Sequence, residues 1–249
     1  MNGSLIKSIN PNNYLKEPLG LCVETKSNGD EIVYVSDWKA HTVFVFNYNF
    51  KLITRIGQNL NFVSYITIDS ESGILYISHT YENKVSLWNV KSGKLFQKLF
   101  IEQPLHSKLR NSSIYILCMV GCKLDNDQRK LIKLKKGNCI DVINKLTLEI
   151  IHRIKFDDWL APHFLYLSPH DSTIYTIAFP IYENGTYSRT RFLFKIQKRQ
   201  IDGKKSFEVK QKIRLNDVNI FNDALCLDNK LIICGANANM NEIRFIEFS

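Results

Sequence analysis

Ile32-Val33-Tyr34-Val35-Ser36-Asp37, followed by Thr42-Val43-Phe44-Val45-Phe46-Asn47, decides how this chain is read, because the pattern returns without a gap 42 residues later. The second copy is Ile74-Leu75-Tyr76-Ile77-Ser78-His79 through Lys84-Val85-Ser86-Leu87-Trp88-Asn89. Tyr34 matches Tyr76, Ser36 matches Ser78, Val43 matches Val85 and Asn47 matches Asn89. Each copy reads as a short strand, a loop of a few residues and an alternating strand ending in an Asn that turns the chain. Apolar segments flank both copies, Leu19 to Val23 and Leu52 to Ile56 in one, Val63 to Ile68 and Leu95 to Leu99 in the other. The unit therefore holds four strands in about 42 residues, the size of a propeller blade.

Three looser units follow. Their strands are expected near Leu105 to Leu109, Ser113 to Met119, Cys139 to Asn144 and Glu149 to Ile154, then near Pro162 to Leu167, Thr173 to Ala178, Phe192 to Ile196 and Phe207 to Ile213. The fifth supplies Ala224 to Leu227, Leu231 to Cys234 and Ile243 to Phe248, and ends one strand short. Leu5-Ile6-Lys7-Ser8-Ile9 precedes Pro18-Leu19-Gly20 as Leu52 to Ile56 precedes the second unit, so it is expected to complete the last blade and close the ring, removing exposed sheet edges. The expectation is an all-β, single-domain propeller over residues 1–249 with five four-stranded blades and a basic insertion at about 121–138 in the third. Six blades is the alternative count, since 249 residues hold nearly six such units.

Pro18-Leu19-Gly20-Leu21-Cys22-Val23 with Val33-Tyr34-Val35-Ser36-Asp37, Val43 to Phe46 and Ile53 to Gly57 resembles an NHL repeat. Tyr76-Ile77-Ser78 with Asn83-Lys84-Val85-Ser86-Leu87 resembles equally a YVTN repeat, and Leu87-Trp88-Asn89-Val90-Lys91-Ser92-Gly93-Lys94 is similar to a WD-repeat strand. The resemblance covers roughly residues 18 to 100 and fades beyond them. It implies a propeller, most often a protein- or RNA-binding platform and occasionally a hydrolase or lyase; such motifs specify a blade and not an activity.

Composition narrows the class. Hydrophobic residues make up 45% of the chain and aromatics 12%, which excludes a disordered polymer. No apolar run approaches a membrane span and the start, MNGSLIKSIN, lacks the apolar core of a secretory signal, so a monomeric, cytoplasmic protein without membrane partners is expected. Six sparse cysteines without secretory context argue against a disulfide framework, and Cys118, Cys122 and Cys139 lack the second paired spacing of a zinc ribbon. The formal charge of +9 is compatible with an acidic partner, but a chain rich in Lys, Asn, Ile, Tyr and Phe also carries the mark of A/T-rich codons.

In a propeller, the loops from second to third strand and the links from outermost to next innermost strand open on one face. Here they carry Trp38, His41, His79, Tyr81 and Trp159, with Arg129, Lys130 and Lys133 in the insertion, where the local balance from Lys123 to Lys136 is +4. Aromatic anchors suit a protein or peptide partner. Combined with the cations they also suit single-stranded RNA, the second reading. From Arg189 to Arg214 ten Lys/Arg stand against Asp202 and Glu208, much of that charge being expected in a turn from Lys198 to Lys205 on the opposite face. A third reading aligns Gly20, Ser64, His106, His163 and Asp223 at the channel mouth, where His106, His163 and Asp223 offer imidazole and carboxylate ligands for a divalent metal in a hydrolase or lyase. There is no phosphate-binding Gly-rich loop, no HExxH and no nucleophile elbow, so no catalytic residue and no cofactor is expected and the first reading is a non-enzymatic binding module.

Overall fold

The computed structural model describes residues 14–118, 122–124, 131–133, 138–157, 160–168, 171–180, 190–201, 204–215, 220–227, 230–236 and 241–247. For 122–124, 131–133, 201, 204–205 and those from 220 onward the description is of the backbone. The first sheet is a meander of β1 (Pro18–Thr25), β2 (Glu31–Asp37), β3 (Thr42–Asn47) and β4 (Leu52–Ile56). The second repeats it with β5 (Val63–Asp69), β6 (Ile74–His79), β7 (Lys84–Asn89) and β8 (Lys94–Phe100). The third is β9 (Pro104–Arg110), β10 (Ser113–Cys118), β13 (Cys139–Asn144) and β14 (Ile150–Lys155), interrupted by the small hairpin β11 (Cys122–Leu124) and β12 (Leu131–Lys133). The fourth is β15 (Leu160–Leu167), β16 (Ile174–Pro180), β17 (Arg191–Ile201) and β18 (Lys204–Leu215). The fifth has three strands, β19 (Ile220–Leu227), β20 (Lys230–Ala236) and β21 (Asn241–Glu247). Neighbouring strands in these sheets pair antiparallel, and the architecture is that of propeller blades. The chain divides into two compact units, residues 1–107 and 108–249, the boundary falling inside β9. The segment Leu5 to Ile9, expected to complete the last blade, lies outside the described residues.

The turns explain why Asn recurs at the end of the third strand. The Asn47 side-chain oxygen accepts from the Lys51 amide at 2.9 Å, that of Asn89 from Ser92 at 2.9 Å and that of Asn144 from Leu146 at 2.8 Å. Each side chain thus closes its own turn where the ladder has stopped. A second bond marks the other end of each blade. The residue just before the third strand, His41, Asn83 or Asn138, accepts through its carbonyl from Leu60, Ile101 or Phe156 at 2.8, 3.0 and 2.9 Å, pinning the exit of the outermost strand.

Burial falls from the middle of a blade to its rim. β3 and β10 are buried along almost their whole length, which strands with only one covered face never are, whereas β4, β8 and β14 are mostly exposed. In the first unit Tyr34, Val43, Val45, Ile56, Val63, Leu75 and Ile77 form one core cluster across the two sheets. Polar bonds link the first sheet to the second and the second to β9. The Ser36 hydroxyl donates to the Ser64 carbonyl at 2.5 Å, and the Ser64 hydroxyl donates onward to the Leu105 carbonyl at 3.3 Å.

One expectation shifts. The basic stretch from Lys198 to Lys205 is not wholly a turn: Lys198 pairs with Phe207 and Ile201 with Lys204, so residues 198–201 and 204–205 belong to the β17–β18 ladder. The innermost strands share a further feature. β1 carries an unpaired residue at Leu19, β15 at His163 and β19 at Asn222, while in β5 Ser64 and Tyr65 together face one partner residue. A bulge resets the alternation of side chains along its strand.

Candidate binding face

Three loops of the first unit open on one side. They are the β2–β3 loop (38–41), the β4–β5 link (57–62) and the β6–β7 loop, which contains a short 3-10 turn at Thr80–Glu82. Each delivers an aromatic ring to the same spot. Trp38 meets Phe62 edge-on at 5.5 Å and Tyr81 at 5.6 Å, and Phe62 meets Tyr81 at 5.0 Å, all near perpendicular. Edge-to-face geometry is the favoured mutual arrangement of aromatic quadrupoles. The three rings are half-buried, so they hold one another while leaving surface to solvent. Trp38 and Tyr81 are two of the residues expected on this face; Phe62 is a third that the sequence did not single out.

The backbone under the rings is held by short-range chemistry. Asp37, fully buried, accepts from the amides of Lys16 at 2.6 Å, Glu17 at 3.0 Å and Ala40 at 2.7 Å, tying the Trp38 loop to the incoming chain. Lys39 reaches Glu17 at 3.2 Å on the exposed rim. His41, Asn59, Phe62, Asn83 and Gln103 all adopt left-handed backbone, with φ of 54, 59, 51, 52 and 45°. For non-glycine residues this costs about 1–2 kcal/mol each, and such conformations gather where loops are over-determined by their surroundings. At Phe62 it aims a bulky side chain into the aromatic cluster. His41 itself is exposed on the rim.

His79, expected on this face, is not on the surface. Its side chain is 1 % exposed and its ring nitrogens are both engaged, Nδ1 2.8 Å from the Asn61 carbonyl oxygen and Nε2 2.7 Å from the Ser86 hydroxyl. A carbonyl only accepts, so Nδ1 carries the proton and Nε2 accepts from Ser86, whose oxygen accepts in turn from Trp88 Nε1 at 2.9 Å. Burial pushes the imidazole below its ordinary value and Lys84 adds to this, against the Asn61 carbonyl and Glu82. Folding therefore favours neutral His79. Its contribution to stability is complete above the unfolded value of about 6.5 and is lost as pH falls from there through the lower folded value. Chemical denaturation across that window is expected to show wild type losing stability on acidification more steeply than H79N. Equal slopes would mean that His79 titrates alike in both states.

The remaining expected site residues are placed as follows. Arg129, Lys130 and Trp159 lie outside the described residues, and Lys133 is described as backbone in β12, paired with Cys122. Of the channel-mouth column, Ser64 and His163 sit in bulges, whereas Gly20 and Asp223 are paired just past theirs, opposite Ser36 and Cys234. His106 is buried and packs on Tyr65 at 4.4 Å. His163 leans on Phe179 at 5.9 Å, and the Arg191 guanidinium covers the same ring at 5.0 Å. Burial, with Arg191 second, pushes the His163 imidazole down, and a positive neighbour opposes a bound cation as it opposes a proton. The Asp223 side chain is not among those described.

No sequence-family profile matches the chain, and no curated protein matches it by sequence. Solved structures do. The chain is similar to hydrazine synthase of Kuenenia stuttgartiensis with a TM-score of 0.66 at 14% identity, over 98% of this chain and 67% of that one. It is similar to a chain of a nidogen/laminin complex with a TM-score of 0.57 at 11% identity, over 92% and 75% of the two. Identities this low carry the fold alone, and the fold is a β-propeller.

Proposed function

We propose that this propeller is a non-enzymatic interaction module of the NHL/YVTN kind that binds a protein or peptide through the face carrying Trp38, Phe62 and Tyr81. The observation behind this reading is the convergence of three half-buried rings from three successive loops on strained, hydrogen-bonded backbone. Rigid aromatic anchors contribute large contact area at small entropic cost and dominate interface energetics. His41 and Lys39 on the rim add polar contacts.

Affinity capture followed by titration tests it. A partner bound by wild type, and by a control altered in the opposite-face turn such as S92A, is expected to lose roughly 30-fold or more in affinity to W38A and to Y81A. A partner set retained in full by both variants overturns the face. A captured RNA whose affinity falls steeply with salt overturns the protein-partner reading in favour of the basic β17–β18 ribbon, where Lys198, Arg199, Lys210, Lys212 and Arg214 are exposed.

A further inference from the structure

Cys118 closes β10 and Cys139 opens β13, and the two are direct partners across the ladder at the base of the insertion. Asp141 follows two residues along β13 and so points to the same side as Cys139. All three side chains are buried, at 1, 3 and 1 % exposure. Both thiols donate to the carboxylate, Cys118 to Oδ2 at 3.9 Å and Cys139 to Oδ1 at 3.7 Å. Two sulfurs and a carboxylate oxygen lie within 4.8 Å of one another, the only such ligand group among the described residues. On β14, Arg153 grips the carboxylate with Nε at 2.6 Å and Nη2 at 2.8 Å, yet its side chain is 49 % exposed and free to withdraw toward water.

We propose that Cys118, Cys139 and Asp141 form a binding site for one zinc-class d10 cation. Metal–sulfur and metal–oxygen bonds of about 2.3 and 2.0 Å place tetrahedral ligands roughly 3.5–3.8 Å apart; each sulfur already lies 3.7 or 3.9 Å from one of the two Asp141 oxygens, and the set within 4.8 Å closes on an ion by small side-chain rotations. Paired thiols select soft and borderline ions over magnesium or calcium. Charge closes as well: a dication with two thiolates, Asp141 and Arg153 sums to zero, which a buried site requires. Two S–H bonds break, two sulfur–metal bonds form and two protons pass to solvent, with no change of oxidation state. Water completes the coordination. Because the ligands stand on the two strands from which the insertion springs, the ion staples the base of that insertion.

The full-length, tag-free protein is titrated with cadmium(II) as a spectroscopic probe and with zinc(II) in competition. The expected result is a thiolate-to-metal charge-transfer band that saturates at one ion, is displaced by zinc, and is accompanied by a zinc-dependent rise in melting temperature. C118S and C139S are expected to weaken binding by roughly 100-fold or more, D141N by about tenfold, and R153Q by less than D141N, because Arg153 balances charge without binding the ion. Circular dichroism checks that each variant is folded. Should C118S or C139S fail to fold, the D141N and R153Q pair and the wild-type melting shift decide. A band of full strength in folded C118S/C139S overturns the site, as does a wild-type protein whose melting temperature zinc leaves unchanged.

Discussion

Replacing Asp37 with Ala is expected to lower the free energy of unfolding of the first unit by about 3–4 kcal/mol. The carboxylate is fully buried and accepts from three backbone amides, those of Lys16, Glu17 and Ala40. An alanine leaves all three donors without their acceptor, and bonds to a charged group contribute about 1.5–3 kcal/mol each before the relief of carboxylate desolvation is subtracted. D37N serves as the graded control, because its single amide oxygen replaces only part of the set, so roughly half the loss is expected. Denaturant titration gives the size. Hydrogen exchange gives the place: the amides of Lys16, Glu17 and Ala40 should exchange faster in D37A than in wild type, ahead of those in β3. A loss under about 1 kcal/mol, with those amides still protected, would mean that the loop is held by something other than Asp37.

Gly20 is the second sensitive point, for steric reasons. A methyl group there would stand 2.8 Å from the Ser36 hydroxyl, 2.9 Å from the Tyr65 α-carbon and 3.0 Å from the Ser64 carbonyl oxygen. Two of those obstacles are backbone of the neighbouring blade and cannot rotate away. G20A is expected to cost about 2–3 kcal/mol. It also disturbs the bonds Ser36 makes to the Gly20 amide at 2.8 Å and to the Ser64 carbonyl at 2.5 Å. The double variant G20A/S36A separates the two causes. Removing the hydroxyl relieves one contact of three and leaves the two backbone contacts in place, so the double variant should remain clearly less stable than S36A alone; recovery to the level of S36A would assign the whole effect to the side chain.

These two residues show what was legible in the sequence. The four-strand unit was, because Tyr34 and Tyr76, Val43 and Val85, and Asn47 and Asn89 repeat both the alternation and the turn chemistry. Asn144 carries the same turn into the third blade, where the spacing had drifted. Trp38 and Tyr81 were legible as loop aromatics on one side, since strand order alone fixes which loops share a face. What escaped depended on register across strands. Phe62 joins the cluster only because a left-handed backbone turns it inward, and His79 sits where the strand has not yet left the core. The partnership of Cys118 with Cys139 and Asp141 spans a 20-residue insertion and follows from a ladder no spacing rule announces.

The fall in burial from the middle strands to the rim has an evolutionary consequence. A blade asks for little: apolar residues along two middle strands, an Asn or its equivalent at one turn, and a carbonyl pinned at the other. Along the outermost strands much of each side chain faces solvent, as the exposed Phe96, Phe100, Ile150 and Ile151 show. Substitutions at such positions are expected to change stability by no more than about 0.5 kcal/mol. Two propellers can therefore share backbone geometry with few letters in common, as the TM-score of 0.66 at 14% identity illustrates.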